Sequence, residues 1–438
     1  MKNSRTTRKG VVNLLVKKSQ RIKERINFFI IFSIAILIIF SIVFIKTYTF
    51  ENAHILVYAY TLSVTTFELS RISASFLYKP PRWKSTKNFE PRVSFIIPAK
   101  NEEKVIAQTI QRCFEVEYPK RKLEVIVIND GSTDGTWHEI KKMKKKYPRL
   151  IAVNWKKNRG KRRGMAEGFR RAIGDIVIQL DSDSFIERNS LRKLIEGFLD
   201  PRVAAITAHT DPVNKEENWI TKMQVPYYFM SFRILKAAES AFDAVFCCSG
   251  CCSAYRRSYV MPVLNEWLNE RFLDKPIIYG DDRALTNLML KNGYKTIYSE
   301  KAQAFTIVPN TLKKFLKQQI RWKKGWFINS VKASKFIIKR DWFVAFTYFL
   351  PLIFFTLVSP FINVRALFVN PFLFGIYPFF YIGGVMLIAA LFALHYKAHR
   401  NDGYWKYMFV WSFLNIFILS YVLLYAVATL RNNKWGTR

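Results

Sequence analysis

Acidic residues that follow apolar runs are the first groups in this sequence whose types and spacing could do chemistry. Asp181 and Asp183 form "DSD" directly after "IVIQL", and Asp130 ends "LEVIVIND". A tight turn can aim carboxylates one residue apart at one cation, and Mg²⁺ and Mn²⁺ prefer such oxygen ligands, which they usually share with substrate phosphates. The alternative interpretation is a helix N-cap, because aspartate and serine also precede helices.

A second acidic pair lies in "IYGDDRALTN", where Asp281 and Asp282 follow a glycine. When two carboxylates adjoin, burial and mutual repulsion can raise the pKa of one of them toward the range that a general base needs. A helix cap is again the alternative interpretation of this pair.

Two clusters of cations could meet phosphate groups. "NRGKRRGM" places Lys161 and Arg162 between glycines ahead of a helical pattern. This suits a diphosphate at a helix N-terminus or, alternatively, a solvated charge run. "KQQIRWKKGW" holds four cations and two aromatic residues. That stretch fits a nucleic-acid patch, a membrane-surface helix or part of an active site, and the surrounding elements must decide among them.

Short apolar runs alternate with amphipathic stretches between residues 92 and 341. "VSFIIP", "LEVIVIND", "LIAVNW" and "DIVIQLDSDS" have the composition of buried strands, and helical patterns separate them. This alternation predicts an α/β domain with a mostly parallel sheet and helices on both faces. Such sheets bind ligands at the carboxyl ends of their strands, where Asp130, Asp181 and Asp183 fall.

Apolar runs outside this domain are long enough to cross a bilayer. Residues 28–45, 343–364, 366–394 and 407–430 contain no charge, and 52–78 is apolar except for Glu68 and Arg71. About 20 helical residues, at about 1.5 Å each, span a hydrocarbon core of about 30 Å. We therefore divide the chain into a basic N-terminus (1–27), two transmembrane helices (28–78), the α/β domain (79–310), an interface helix (311–341) and C-terminal transmembrane or re-entrant helices (342–438).

The charge balance is strongly basic, with 69 Lys and Arg against 32 Asp and Glu and a formal net charge of +37. Acidic partners are therefore expected: phosphates, anionic lipid or nucleic acid. Nine Lys and Arg lie within the first 25 residues, so the positive-inside rule places the N-terminus in the cytoplasm. Two crossings then return the chain to the cytoplasm, and flanks that face anionic lipid account for much of the charge.

Four of the five cysteines lie in "CCSGCC", residues 247–252. A zinc site needs converging thiolates, whereas adjacent residues of an extended chain point to opposite faces. We expect reduced cysteines with a packing role, and zinc binding is the alternative. A cytoplasmic location also argues against structural disulfides.

Several short motifs are distributed along nearly the whole chain: "SFLYKP", "VINDGS", "RGKRRG", "LDSDS", "CSG" followed by "YRR", "YGDDRALTN", "LKQQIRWKKGW" and "WGTR". Together they resemble the motifs of membrane-embedded family 2 glycosyltransferases, and most closely those of hyaluronan synthases. The Gln-x-x-Arg-Trp signature is shared with cellulose and chitin synthases, whereas the "GDDRALTN" and "WGTR" set is narrower. The resemblance implies a GT-A-type nucleotide-sugar-binding domain together with transmembrane segments and amphipathic interface helices.

The resemblance implies roles for single residues. Asp130 would contact the uracil and ribose end of a UDP-sugar, and Lys161 and Arg162 its diphosphate. Asp181 and Asp183 would bind Mg²⁺ or Mn²⁺, with Asp183 as the principal ligand and Asp181 also next to the nucleotide-sugar.

On the acceptor side, Asp282 would be the general base. Gln318, Arg321 and Trp322 would close over the diphosphate and line the acceptor site, with Arg321 on phosphate and Trp322 stacked on a sugar ring. Ser249 and Gly250 would form the acceptor-side loop, and Lys323 and Lys324 would face lipid headgroups. One departure is Cys251-Cys252, where the family usually has Pro-Leu. Loss of the proline frees this loop and changes its wall.

The implied activity is processive, inverting transfer from UDP-GlcNAc and UDP-GlcA onto a growing polysaccharide that crosses the lipid bilayer. A chitin-type synthase that uses UDP-GlcNAc alone is the alternative. A basic membrane receptor for nucleic acid or lipid is a different class, and it is disfavoured because carboxylates at strand ends would repel phosphate without a metal. We expect no nucleic-acid partner and no obligate protein partner.

The expected location is the cell membrane, with several crossings and with the catalytic domain and both termini in the cytoplasm. The loop "HYKAHRNDG" and the tail "RNNKWGTR" are both basic and should lie inside, which requires an even number of crossings after residue 341. Residues 407–430 are then expected to form a bent, re-entrant hairpin, with Asn415 as the candidate bend.

Overall fold

A computed structural model describes residues 55–80 and 89–431 of the chain. The apolar run 28–45 and the tail that contains "WGTR" lie outside the described residues. The described chain forms an α/β domain, a long helix that follows it, and apolar helices on both sides of these in sequence.

The strands all lie in the α/β domain. They are β1 (Val93–Ala99), β2 (Leu123–Asp130), β3 (Leu150–Trp155), β4 (Ile176–Gln179), β5 (Ser184–Ile186), β6 (Val203–Pro212), β7 (Ser253–Arg256), β8 (Arg271–Phe272), β9 (Lys275–Pro276) and β10 (Lys295–Thr306).

The helices lie between the strands and on both sides of the domain. They are α1 (Ile55–Phe76), α2 (Ile106–Glu115), α3 (Thr136–Lys146), α4 (Lys161–Arg171), α5 (Ser190–Ile195), α6 (Trp219–Phe229), α7 (Ala237–Ala241), α8 (Arg257–Val260), α9 (Leu264–Leu268), α10 (Asp281–Lys291), α11 (Leu312–Arg340), α12 (Trp342–Phe374), α13 (Phe379–His399) and α14 (Gly403–Ala428). A π-helical stretch, Met230–Lys236, joins α6 to α7.

The central sheet has the strand order β3-β2-β1-β4-β7-β6-β10-β5. The β1–β2, β1–β4, β2–β3 and β6–β10 pairs are parallel, and the pairs made by β7 and by β5 are antiparallel. Every residue of β1 is buried, as expected of a strand that is covered by helices on both faces. The prediction of an α/β fold with a mostly parallel sheet is therefore confirmed.

The strand order fixes where the acidic residues meet. Because β2 and β4 both pair in parallel with β1, their carboxyl ends lie at one edge of the sheet. Asp130 ends β2, and Asp181 and Asp183 follow β4. The sheet thus brings together residues that are about fifty positions apart in the sequence.

Three helices of the described chain are long and apolar enough to cross a membrane: α12 with 33 residues, α13 with 21 and α14 with 26. The break between the first two is at 375–378 and not near residue 365, because Arg365 continues the helix through a π-helical stretch. The prediction of a bent hairpin at 407–430 is wrong. Asn415 begins another π-helical stretch, Asn415–Leu419, inside an uninterrupted helix.

Polar contacts attach the apolar helices to one side of the α/β domain. Tyr78, just beyond α1, donates its hydroxyl to the carbonyl of Tyr298 at 2.9 Å. Arg340, the last residue of α11, donates to the carbonyl of Asp243 at 3.1 Å. Arg400, just beyond α13, forms a 2.5 Å ion pair with Asp211.

Both ends of α14 also contact this domain or its following helix. The hydroxyl of Tyr404 at the first end bonds Glu216. At the other end, the ammonium of Lys324 on α11 donates to the carbonyl of Thr429 at 2.7 Å. The prediction that Lys324 faces lipid headgroups is therefore wrong, because its side chain is buried and neutralises the carbonyl end of a helix.

We predict that Asp211→Asn loosens the attachment of the loop after α13. Burial opposes ionisation of Asp211, but His209 and Arg400 outweigh it and lower its pKa to about 2. A carboxylate with a lowered pKa adds stability above its unfolded pKa of about 4, and this is lost as the pH falls through the folded value. At pH 7 the free energy of unfolding of the wild type should exceed that of Asp211→Asn by about 2 kcal/mol.

Thermal unfolding of both proteins in detergent, measured from pH 7 down to pH 2, tests this prediction. The difference in Tm should be constant at neutral pH, shrink below about pH 4 and vanish near pH 2. Glu117→Gln, which removes an exposed ion pair with Arg188, serves as the control and should not change the Tm. A pH-independent difference would contradict the assignment.

Candidate active site

The "DSD" aspartates lie at the carboxyl edge of the sheet, just beyond β4. Asp183 is buried, whereas the side chain of Asp181 is 25% exposed and can meet a ligand. The ammonium of Lys161 lies 2.5 Å from one oxygen of Asp181. Burial lowers the pKa of Lys161, but Asp181 outweighs it and leaves the pKa raised, so the ammonium stays charged.

Lys161 is the first residue of α4, and a glycine turn leads into that helix. Gly160 has a φ of +94°, a conformation that side chains rarely tolerate. Both oxygens of Asp130 fix the turn: one accepts the N–H of Arg159 at 2.6 Å and the other that of Gly160 at 2.9 Å. Asp130 therefore positions the N-terminus of α4 beside Asp181.

Arg162 points away from Asp181, into the interior. Its guanidinium donates to Asp281 at 2.9 Å, to Glu270 at 3.1 Å and to the carbonyl of Trp267 at 2.8 Å, and it lies over the Trp267 ring. Burial raises the pKa of Asp281, while Arg162 and Lys161 oppose the rise. This geometry favours a structural role for Arg162, which holds α4 against α10.

The side chain of Asp282 points to a different face of α10 from that of Asp281. Successive residues in the first turn of a helix face about 100° apart, so Asp281 can enter the interior while Asp282 faces the site. One oxygen of Asp282 accepts the N–H of Gly250 at 3.2 Å and lies 3.5 Å from the sulfur of Cys247. The other accepts the N–H of Arg283 at 2.8 Å.

Gly250 joins the two acidic loops through its main chain. Its N–H bonds Asp282, and its carbonyl accepts the N–H of Asp181 at 3.0 Å. A Cβ at this position would come within 3.1 Å of the Asp181 carboxylate and 3.0 Å of Gln179. A side chain here would therefore require Asp181 and Gln179 to shift by a few tenths of an ångström. Ser249 accepts the N–H of Cys251 on its hydroxyl at 3.4 Å.

The cysteines of "CCSGCC" divide into two pairs, as their alternation in sequence predicts. Cys248 and Cys252 are fully buried, whereas Cys247 and Cys251 are only partly buried. Burial and the nearby Asp282 raise the pKa of Cys247 to about 11, and burial and Asp181 do the same for Cys251. Both thiols therefore remain protonated near neutral pH.

The glycine before the acidic pair packs directly against α11. Gly280, with a φ of +69°, meets Gly325 so closely that a Cβ on either residue would lie 3.0 Å or less from the other's backbone. The side-chain amide of Asn329 donates to the carbonyl of Gly325 at 2.8 Å and of Gly280 at 3.4 Å. This contact places Asp282 next to the helix that carries Gln318, Arg321 and Trp322.

Those three residues occupy one region of α11. Burial lowers the pKa of Arg321, while Asp181 and Tyr279 oppose the shift, so its guanidinium lies within electrostatic range of the "DSD" turn. Trp322 is 40% exposed, and its ring centroid is 6.4 Å from that of Tyr228 on α6. The side-chain oxygen of Gln318 is buried and accepts no hydrogen bond from the described residues.

The carboxylates of Asp181 and Asp183 fit a divalent cation that a ligand helps to hold. Within the described residues, no three His, Cys, Asp or Glu side chains converge on one point. Mg²⁺ is usually bound by one or two carboxylates plus substrate phosphates, not by a complete protein cage. The ammonium of Lys161 on Asp181 indicates that positive charge is favoured there.

Sequence reasoning missed several residues of this site. Cys247 was expected to pack or, alternatively, to bind zinc, and neither its contact with Asp282 nor that of Gly280 with Gly325 was predicted. The opposite directions of Asp281 and Asp282 could have been found, since an acidic pair at a helix start must diverge. No local pattern indicated that Arg162 would face Asp281, because the two are 119 residues apart.

The fold and the site define a membrane-attached glycosyltransferase of the GT-A type. Residues 94–264 match the family described as glycosyl transferase family 2. A hyaluronan synthase of Streptococcus pyogenes is 30% identical over 410 residues, which cover 92% of this chain and 95% of that protein. An N-acetylglucosaminyltransferase of Azorhizobium caulinodans is 30% identical over 356 residues, 80% of this chain and 87% of that protein. The chain therefore belongs to the family that contains these synthases.

A solved structure also resembles the fold. It is a mannosyltransferase of Pyrobaculum calidifontis, determined in complex with GDP-Man and Mn²⁺. The TM-score is 0.55 at 20% identity, and the match covers 86% of this chain and 100% of that one. At this identity the likeness concerns the fold alone.

We predict that the adjacent cations Lys161 and Arg162 have separable roles. Arg162→Met leaves the Asp281 charge buried without its main partner, and breaking a buried pair in this way costs about 3–5 kcal/mol. Lys161→Met removes a cation whose side chain is 29% exposed at the sheet edge, and it should preserve stability but weaken UDP binding. Thermal unfolding and calorimetric titration with UDP distinguish the two. Weaker UDP binding by Arg162→Met without a fall in Tm would reverse the assignment.

Proposed function

We propose that this glycosyltransferase polymerises UDP-sugars processively and passes the polysaccharide across the membrane. The observation that carries the proposal is the position of Gly250, whose main chain bonds both the Asp181 turn and the Asp282 carboxylate. A donor held at Asp181 and an acceptor held at Asp282 would therefore meet at one point of the sheet edge.

In this proposal Asp282 takes the proton of the acceptor hydroxyl as it attacks the anomeric carbon. Three hydrogen-bonding or thiol contacts hold its carboxylate in one orientation, as a base needs. The single displacement on an α-linked donor inverts the anomeric carbon and gives a β-linked product. Lys161 and Arg321 stabilise the charge that develops on the leaving UDP.

Asp181 and Asp183 would hold Mg²⁺ or Mn²⁺, and the bound cation would neutralise charge on the diphosphate. Asp130 and the N-terminus of α4 would receive the nucleotide, as helix N-termini receive anions elsewhere. Trp322, which is 40% exposed, offers aromatic surface for an acceptor sugar, and the buried ring of Tyr228 lies beside it. Arg162 would position Lys161 by holding α4 against α10, and it would not bind the diphosphate.

The relatives support UDP-GlcNAc and UDP-GlcA as alternating donors. The Streptococcus pyogenes relative is a hyaluronan synthase, and the match covers nearly the whole of both chains. A chitin-type synthase with UDP-GlcNAc alone is the second candidate, favoured by the rhizobial N-acetylglucosaminyltransferases. The Cys251-Cys252 pair in the acceptor-side loop is where this chain departs from the usual Pro-Leu.

Incubation of the purified protein with each UDP-sugar, singly and paired, with Mg²⁺ or Mn²⁺ and then with EDTA, tests the proposal. A polymer that requires both UDP-GlcNAc and UDP-GlcA supports a hyaluronan-like product. A polymer from UDP-GlcNAc alone supports the chitin-type alternative. Binding of anionic lipid or nucleic acid without any sugar transfer would overturn both.

We predict that Asp282→Asn abolishes polymer synthesis and leaves UDP binding nearly intact. The amide cannot accept the proton, and loss of a general base typically costs about 10²–10⁴-fold in rate. Rates of UDP release during synthesis and calorimetric UDP affinity are the measurements. Turnover near that of the wild type would refute the role of Asp282.

We predict opposite effects for the two neighbouring residues of α11. Trp322→Ala should shorten or stop chain elongation more than it weakens UDP binding, because it removes the surface on which a sugar ring stacks. Arg321→Ala should weaken UDP binding first, since it removes a charge-assisted contact to phosphate. Product length on gels and UDP affinity separate them, and equal losses of UDP affinity would show that the roles are wrongly divided.

The topology that we propose keeps the catalytic domain and both termini in the cytoplasm of a multi-pass membrane protein. Both ends of α14 contact the α/β domain or α11, which supports an unbent helix that lies on the catalytic side and does not cross the membrane. We predict that a cysteine introduced at position 437 resists a membrane-impermeant thiol reagent in intact cells and reacts after permeabilisation. Labelling in intact cells would place the tail outside.

A further inference from the structure

A chain of polar contacts leads from the apolar helices α1 and α12 to the loop that contacts Asp282. It begins at Arg71 in α1, whose guanidinium pairs with Glu68 at 2.9 Å and lies over the ring of Tyr348. Arg71 is only 5% exposed although it belongs to an apolar helix. Ionisable groups in such segments are rare and are usually kept for function.

The second step of the chain is Tyr348, in a π-helical stretch of α12. Its hydroxyl donates to one oxygen of Glu239 at 3.0 Å. Such π-helical stretches frequently occur at functional sites, because the extra residue redirects side chains. Tyr348 thus connects α1 and α12 to α7, a short helix of the catalytic domain.

Glu239 then joins this cluster to the acceptor-side loop. Its second oxygen accepts the N–H of Phe246 at 3.2 Å. The ring of Phe246 also stacks on that of Tyr348, with centroids 6.1 Å apart and planes 10° apart. The loop 246–250 is therefore attached to α12 by both its backbone and its first side chain.

The same loop, residues 246–250, also contacts Asp282. Cys247 follows Phe246, and its carbonyl accepts the ammonium of Lys236 at 2.8 Å. The Cys247 sulfur and the Gly250 N–H are two of the groups that contact the Asp282 carboxylate. A displacement of Phe246 would therefore move Cys247 and Gly250, and with them the Asp282 carboxylate.

We propose that Glu239 is a positioning residue: it fixes the loop 246–250 against α1 and α12, and the loop in turn orients Asp282. This rests on the proposed role of Asp282 as the base. A carboxylate suits the task because it accepts on both oxygens, one for Tyr348 and one for Phe246. Glutamine offers one oxygen and turns an NH₂ group toward a donor. The packing of the membrane helices is thereby coupled to the alignment of the base.

The test compares Glu239→Gln, Tyr348→Phe and Cys247→Ala, singly and in pairs. Glu300→Gln is the matched control, because Glu300 is similarly exposed and pairs with Arg233 near α6 but does not touch the loop. We expect Glu239→Gln to lower kcat about tenfold, since small misplacements of a catalytic group can cost as much as about 10²-fold. UDP affinity and the KM for the donor should stay within about twofold of the wild type.

The paired variants test whether the residues act as one unit. Residues in one hydrogen-bonded network give non-additive effects, whereas independent sites add. We therefore expect Glu239→Gln/Tyr348→Phe and Glu239→Gln/Cys247→Ala to have kcat values close to that of Glu239→Gln alone. Additive losses, a loss equal to that of Glu300→Gln, or an equal loss of UDP affinity would overturn the proposal.

A second measurement does not depend on catalysis. The thiol of Cys247 is partly buried in the attached loop, so release of the loop should speed its alkylation. Mass-spectrometric mapping should show faster modification of Cys247 in Glu239→Gln than in the wild type or Glu300→Gln. If Asp282→Asn stays active while Glu239→Gln still exposes Cys247, the base assignment fails but the attachment stands. Unchanged alkylation in Glu239→Gln would refute the attachment itself.

Discussion

The buried ion pair between Arg162 and Asp281 is the constraint on which the site depends. It lies between α4, which starts at the "DSD" edge of the sheet, and α10, which starts at the second acidic pair. Charges inside a protein must be paired and hydrogen-bonded, so neither helix can move without exposing the other's charge to an apolar interior. One pair thus fixes Lys161 beside Asp181 and turns Asp282 outward.

Close backbone packing also fixes the segments that form the site. Gly250 lies between the two acidic turns, and Gly280 lies against Gly325 of α11. The contact between Gly280 and Gly325 leaves no room for a Cβ atom, and Gly250 bonds both acidic turns through its main chain. The three segments that meet at the site are therefore fixed by main-chain geometry, which has no rotamers. Side chains that act on a substrate are therefore presented by a frame with little freedom.

The apolar helices are part of this frame and not a separate anchor. Arg340, Arg400 and Tyr78 attach their ends to the α/β domain, and Lys324 reaches the end of α14 from α11. The catalytic domain is therefore held in a fixed position against the apolar helices. The family to which the chain belongs contains a hyaluronan synthase and an N-acetylglucosaminyltransferase.

The sequence by itself determined the elements whose patterns are local. Alternating apolar and amphipathic stretches predicted the α/β domain with a mostly parallel sheet, and long uncharged runs predicted the C-terminal apolar helices. It also placed Asp130, Asp181 and Asp183 at strand ends, because an acid after a buried strand is a short-range signal. Their roles, like that of Asp282, stay predictions.

Only the tertiary structure decided which charges face each other. Arg162 and Lys161 adjoin in sequence, yet one pairs with Asp281 in the interior and the other with Asp181 at the sheet edge. Asn415 was taken for a bend, but a π-helical stretch absorbs it within a continuous helix. Lys324 was predicted to face lipid headgroups, but its ammonium donates to the carbonyl of Thr429 at the end of α14. For the three cations the deciding partner is distant in sequence, and long-range packing selects it by geometry that no local pattern records.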